Sequence, residues 1–97
     1  MHKIFEIMEE MEDELEDAED YAERAVECAA HKHRASTSAY ISMAEDELRH
    51  FEKLDAMLKE HYESLEGGVK EFVDHKHAHL MREHAEIKYM LTKASEN

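Results

Sequence analysis

A carboxylate and an imidazole stand three residues apart in Glu47-Leu48-Arg49-His50. Residues three apart on an α-helix project from the same face. The two side chains could therefore share one metal ion, and iron, manganese and zinc all accept such oxygen and nitrogen donors. The spacing alone carries little weight in a chain with 25 Asp and Glu and 9 His. Position carries more. Glu47 and His50 fill two successive places in an apolar stripe between Tyr40 and Met43 on one side and Leu54 and Met57 on the other. Buried there, they would be costly unless paired or bound to a cation. Two bland readings stand beside the metal. The pair could be a Glu–His hydrogen bond, or the stripe could face solvent because a neighbouring stripe is the core.

A further ligand would have to come from another helix. Glu14, Asp17 and Tyr21 are the candidates upstream, with Glu14 and Tyr21 two turns apart on one face. Glu10 and Glu12 lie nearer the helix start and are weaker. Downstream, His77 and His84 interrupt a third apolar stripe, so a site within one chain could be His-rich, with Asp74-His75-Lys76-His77 as a variant of the carboxylate–x–x–His pattern. His75, His79 and Glu83 follow at steps of four and could chelate a divalent ion or simply be solvated. His31 and His33 read as turn residues. Cys28 is alone, which excludes an intrachain disulfide and paired-Cys zinc sites and fits a reducing cytoplasm. No Gly-rich phosphate loop, Walker-type motif or nucleophile elbow is present.

Three helices must position these residues. Ile4, Met8, Met11, Leu15, Ala18, Ala22, Ala25 and Ala29 recur at alternating steps of four and three, a heptad stripe that predicts a helix over about 3–30. The turn is expected at about 31–36, with Ser36, Thr37 and Ser38 as the N-cap cluster. A second helix is expected over about 38–65. It carries two adjacent stripes, one through Ile41, Ala44, Leu48, Phe51, Leu58, Tyr62 and Leu65 with Asp55 interrupting, the other holding Glu47 and His50. Gly67-Gly68 should end it as a left-handed cap. Val73, His77, Leu80, His84, Ile87, Leu91 and Ala94 predict a third helix over about 69–94. Short connections make neighbours antiparallel. The expectation is an all-α, single helical domain over 1–97, a long antiparallel hairpin plus a third helix.

Composition agrees. The 97 residues contain no Pro, no Trp and two Gly, and the formal charge is −13. Residues 1–30 hold twelve acids against Lys3 and Arg24, whereas residues 68–97 balance. Such an acidic chain is expected to avoid nucleic acid and anionic membrane surfaces and to tolerate cations. No apolar run approaches the roughly 18 residues of a membrane span, and no signal peptide is visible. The Met residues fall mainly in stripes, where core filling is the better reading.

Carboxylates on one helix and Glu-x-x-His on its antiparallel partner resemble the ferritin-like di-iron carboxylate superfamily. The resemblance is nearest to the half-length encapsulated ferritins, in which a two-helix hairpin supplies half of a four-helix site. The local text is similar in Glu14-Leu15-Glu16-Asp17-Ala18-Glu19-Asp20-Tyr21, then Arg24 and Cys28, then Glu45-Asp46-Glu47-Leu48-Arg49-His50. It covers roughly residues 10–60. The resemblance implies Glu14, Glu47 and His50 as metal ligands and catalytic residues, with Tyr21 and Asp17 beside them. It also implies a di-iron cofactor, with manganese or zinc as alternatives, and ferroxidase or peroxide-scavenging activity in a homodimer or higher homo-oligomer. The chain departs from the pattern in a longer connection between the first two helices, in Asp20 where an aromatic often precedes Tyr21, and in a long, His-rich third helix. The competing expectation is a non-enzymatic helical interaction protein, such as a phage or mobile-element accessory protein, without metal.

Overall fold

The computed structural model describes residues 3–96. Three α-helices follow one another: α1 (Lys3–Ala30), α2 (Arg34–Tyr62) and α3 (Gly67–Ser95), and no strand occurs among the described residues. Each has 28 or 29 residues, about 42 Å at 1.5 Å per residue. The molecule measures 50 × 17 × 16 Å, so all three run along its length. α2 is antiparallel to α1. α3 returns parallel to α1, with Phe72 against Phe5 at one end and Ala94 beside Ala25 and Ala29 at the other.

The α1 stripe is the core. Ile4, Met8, Met11, Leu15, Ala18, Ala22, Ala25 and Ala29 are all buried. Against it, α2 buries Ala44, Leu48, Phe51, Asp55 and Leu58, and α3 buries Val73, Leu80, His84, Ile87, Leu91 and Ala94. The α2 stripe that Asp55 interrupts is therefore the core stripe, and the stripe with Glu47 and His50 lies at the edge of the seam with α1.

α3 is held by two kinds of contact. Each fully buried Val, Leu or Ile is worth about 1.5–3 kcal/mol, whereas a partly exposed ion pair is worth about 0–1 kcal/mol. Apolar burial thus supplies the attraction. The polar pairs His77–Asp55 (2.6 Å) and His84–Glu52 (3.2 Å) tie α3 to α2, and Lys76–Glu12 (2.5 Å) ties it to α1. Such pairs select one register, because sliding α3 by a turn would separate His77 from Asp55 and leave buried His84 without its Glu52 partner.

Both connections differ from expectation. The first takes only residues 31–33. His33 N–H donates to Cys28 O and Lys32 N–H to Ala29 O, each at 3.0 Å, with Lys32 at φ 59°. This is a Schellman closure with Lys32 in the place Gly usually takes. It reverses the chain so quickly that Ser36–Ser38 fall inside α2 rather than at its cap. The Thr37 hydroxyl accordingly bonds back to His33 O at 2.8 Å. At the other end α2 stops at Tyr62, where the Ser64 hydroxyl takes His61 O at 2.8 Å. Gly67 and Gly68 do not end α2. They open α3, with Gly67 at φ 57°.

A Cβ at either glycine would meet nothing within 4 Å, so backbone conformation alone separates them. Gly67→Ala should destabilise by about 1 kcal/mol, because only Gly holds a positive φ without strain. Gly68→Ala should be neutral or stabilise by up to about 1 kcal/mol. Urea unfolding of the two variants checks the contrast.

Candidate metal centre

Glu14 sits midway along α1, beside the core residue Leu15. Glu47 and His50 sit on α2 beside the core residue Leu48. Because Leu15 and Leu48 are both drawn into the seam, the residues next to them are brought to its rim from opposite sides. One carboxylate oxygen from each Glu and one ring nitrogen of His50 lie within 4.8 Å of one another. His50 Nδ1 is 3.3 Å from Glu14 Oε2 and 3.9 Å from Glu47 Oε1.

The three side chains differ in exposure. Glu47 is 21 % and Glu14 25 % exposed, whereas His50 is 54 % exposed. Concealment from water is therefore correct for Glu47 and too strong for His50, whose ring stands at an open edge. Electrostatics sets the group apart. Glu47 shares a hydrogen bond with Glu14, which pushes its carboxyl above the ordinary range. Burial and the Glu14 charge add to this, and His50 opposes it. Two carboxylates so close repel each other, so ionising Glu47 beside Glu14 is costly. Two acids meet one imidazole, so the group has spare negative charge and open donor atoms, and this donor set fits a divalent cation of the iron, manganese or zinc type.

The remaining sequence candidates lie elsewhere. Tyr21 is half-buried two turns along α1, its ring stacked on Tyr40 at 6.3 Å, with the Arg24 guanidinium 5.9 Å from the Tyr40 ring. Asp17 is exposed on α1 between Glu14 and Tyr21. His77 and His84 do not join the group. His77 is taken by Asp55, which also receives Lys59 at 3.2 Å. His84 is taken by Glu52 and stacks on Phe51 with ring centroids 5.1 Å apart. Burial of α3's inner face thus turns both interruptions of its stripe into interhelical pairs. Asp55, interrupting the opposite stripe, was the signal for the first pair. Glu52, lying outside either stripe, offered none for the second. His79 bonds Glu83 at 2.8 Å, and His75 is exposed. Glu19 faces α3, where burial and the charges of Glu23 and Glu83 raise its pKa. No second trio of His and carboxylate donors forms among the described residues.

Comparison with protein-family models, curated proteins and solved structures finds no match. No described helix is long and apolar enough to cross a membrane.

The raised Glu47 carboxyl has a stability consequence for the metal-free protein. Between its ordinary and its raised pKa the folded chain binds more protons than the unfolded one. Stability from this group is full at low pH and is lost as pH rises through the raised value. Glu47→Gln removes that loss, so metal-free Glu47→Gln should melt higher than the unsubstituted chain at pH 7. The gap should close on acidification below pH 4.5, the ordinary value for this carboxyl. Thermal melts at the two pH values check it.

Proposed function

We propose that this chain is a ferritin-like metal protein in which Glu14, Glu47 and His50 hold a divalent metal, iron foremost. Two copies meeting about a two-fold axis would complete a di-metal centre. The observation that supports this reading is the convergence of two carboxylates and one imidazole, from two antiparallel helices, at the open rim of the α1–α2 seam.

Three protein donors leave a metal ion under-coordinated, and His50 faces outward. A second copy bringing the same three groups to the same rim supplies the missing ligands. The result is the two-helices-plus-two-helices donor set of di-iron carboxylate bundles, with a Glu from each of two helices and Glu-x-x-His from each of the others. Iron held there would supply one-electron reduction of oxygen or peroxide, hence ferroxidase or peroxide-scavenging activity. The chain's own residues do the rest. Glu14 and Glu47 would both neutralise the ion, which would in turn relieve the repulsion between them. His50 presents a ring nitrogen at the edge where the second copy meets it. Tyr21, braced by Tyr40, walls the rim two turns from Glu14.

The test is Fe(II) added in air to purified protein, with absorbance followed in the near ultraviolet and metal content by elemental analysis. The expected result is about one iron per chain with oxidation faster than in buffer, and loss of both in Glu47→Ala. Equal binding and oxidation by Glu47→Ala would refute the assignment. No uptake by the unsubstituted chain would favour a helical interaction protein without metal.

A further inference from the structure

At the end of the bundle where α1 turns into α2 and α3 finishes, the packing leaves a cleft of about 530 Å³. Its apolar wall is Ala29, Ile41 and Ala94, and its mouth carries Lys32, Arg34 and Ser38. The core side chains shrink to Ala here, so α2 and α3 both rest on α1 without filling the space between them. The cleft runs on into a second hollow of about 200 Å³, which shares Ile41 and Ser95 with it and reaches Leu48 and Leu91. Together they form an apolar trough between α2 and α3 that starts at two cations. The larger hollow lies within the ~300–1,000 Å³ of small-ligand sites. None of its lining residues belongs to the Glu14–Glu47–His50 group.

The cations at the mouth stand out in this chain. Asp and Glu outnumber Lys and Arg by 25 to 12, so a basic side chain readily finds an acid, as Lys59, Lys76 and Lys93 do. Among the described residues Lys32 and Arg34 have no ion-pair partner. Glu96, the one acid lining the cleft, is engaged by Lys93 at 3.6 Å. Lys32 is also the one non-glycine among the described residues at a positive φ, 59°. That conformation costs about 1 kcal/mol with a side chain present, and Gly would close the same turn without the cost. Strain of this kind points to a use for the side chain.

We infer that the trough binds a straight-chain carboxylate of the fatty-acid class. Its head group sits at Lys32 and Arg34, and its chain lies along Ile41 toward Leu48 and Leu91. A guanidinium meets a carboxylate through two parallel N–H donors, and Lys32 adds a second positive charge. Beyond the mouth the wall is apolar, which suits hydrocarbon. Arg34 to Ile41 and Ile41 to Leu48 are each seven residues, about 10 Å along the helix, so the trough is long and favours an unbranched chain over a ring.

The test titrates the full chain with decanoate by calorimetry and locates binding from backbone-amide NMR shifts. One decanoate per chain is expected, with shifts centred on Ala29, Ile41 and Ala94. Affinity should rise about fourfold per methylene from octanoate to decanoate. Decanol, which lacks the charge, and inorganic phosphate, which lacks the chain, should each bind at least about tenfold more weakly. Arg34→Glu should lose about tenfold or more in affinity with unchanged helical circular dichroism, since an acid at the start of α2 suits the helix. Ser38→Phe, exposed at the mouth, should block the cleft without touching the core. Decanol or phosphate binding as tightly as decanoate, an unaltered affinity in Arg34→Glu, shifts centred on Met43 and Met57, or no uptake of decanoate would each overturn the inference.

Discussion

Everything in this structure leans on the apolar stripe of α1. Both other helices bury their inner faces against it, and the stripe tapers from Ile, Met and Leu to Ala along its length. A stripe of period 3.5 tolerates only one register with an antiparallel partner, because each side chain must enter a gap opposite. Once Leu15 and Leu48 are drawn into the same core, the residues beside them cannot avoid one another. Glu14 meets Glu47 and His50 as a by-product of hydrophobic register. The polar chemistry is thus positioned by forces that have nothing to do with polarity.

Glu47, His50, Asp55, His77 and His84 interrupt apolar stripes, and the structure treats them in two ways. His77 with Asp55 and His84 with Glu52 meet across the α2–α3 contact, one imidazole to one carboxylate, and Lys59 adds a cation to Asp55. They call for nothing further, and their physical role is to fix where α3 sits. Glu14, Glu47 and His50 are two acids against one imidazole, and the contact with Glu14 raises the Glu47 carboxyl above its ordinary range. That imbalance, rather than the presence of ligand-type residues, is what separates a candidate metal centre from an ordinary buried ion pair. A cation among the three groups would remove the repulsion between the acids.

The third helix gives the hairpin a finished back and an unfinished front. It covers one side of the α1–α2 pair with Val73, Leu80, Ile87 and Leu91. The opposite rim, with Met43, His50 and Met57, stays open. A two-helix subunit without such a helix would have two faces to cover. Here α3 covers one of them, and the donors lie at the other.

The helices themselves and the core faces of α1 and α3 were legible in the residues alone, because heptad periodicity over nearly four heptads survives any uncertainty at the ends. Glu14 was one of three upstream candidates there, and only the family resemblance joined it to Glu47 and His50. The turns were not. Lys32 in a left-handed conformation and Gly67 at the start of a helix rather than after one are outcomes of where the long helices must reverse, and no local preference announces them. Which of the two α2 stripes would be core was also undetermined in one dimension, since both are apolar and each holds a polar interruption. Tertiary structure decided it: Asp55 found His77 and Lys59 and could be buried, whereas His50 found only acids and stayed at the rim. Patterns of hydrophobicity travel with the chain, but whether a buried charge is tolerable depends on what another helix brings opposite it.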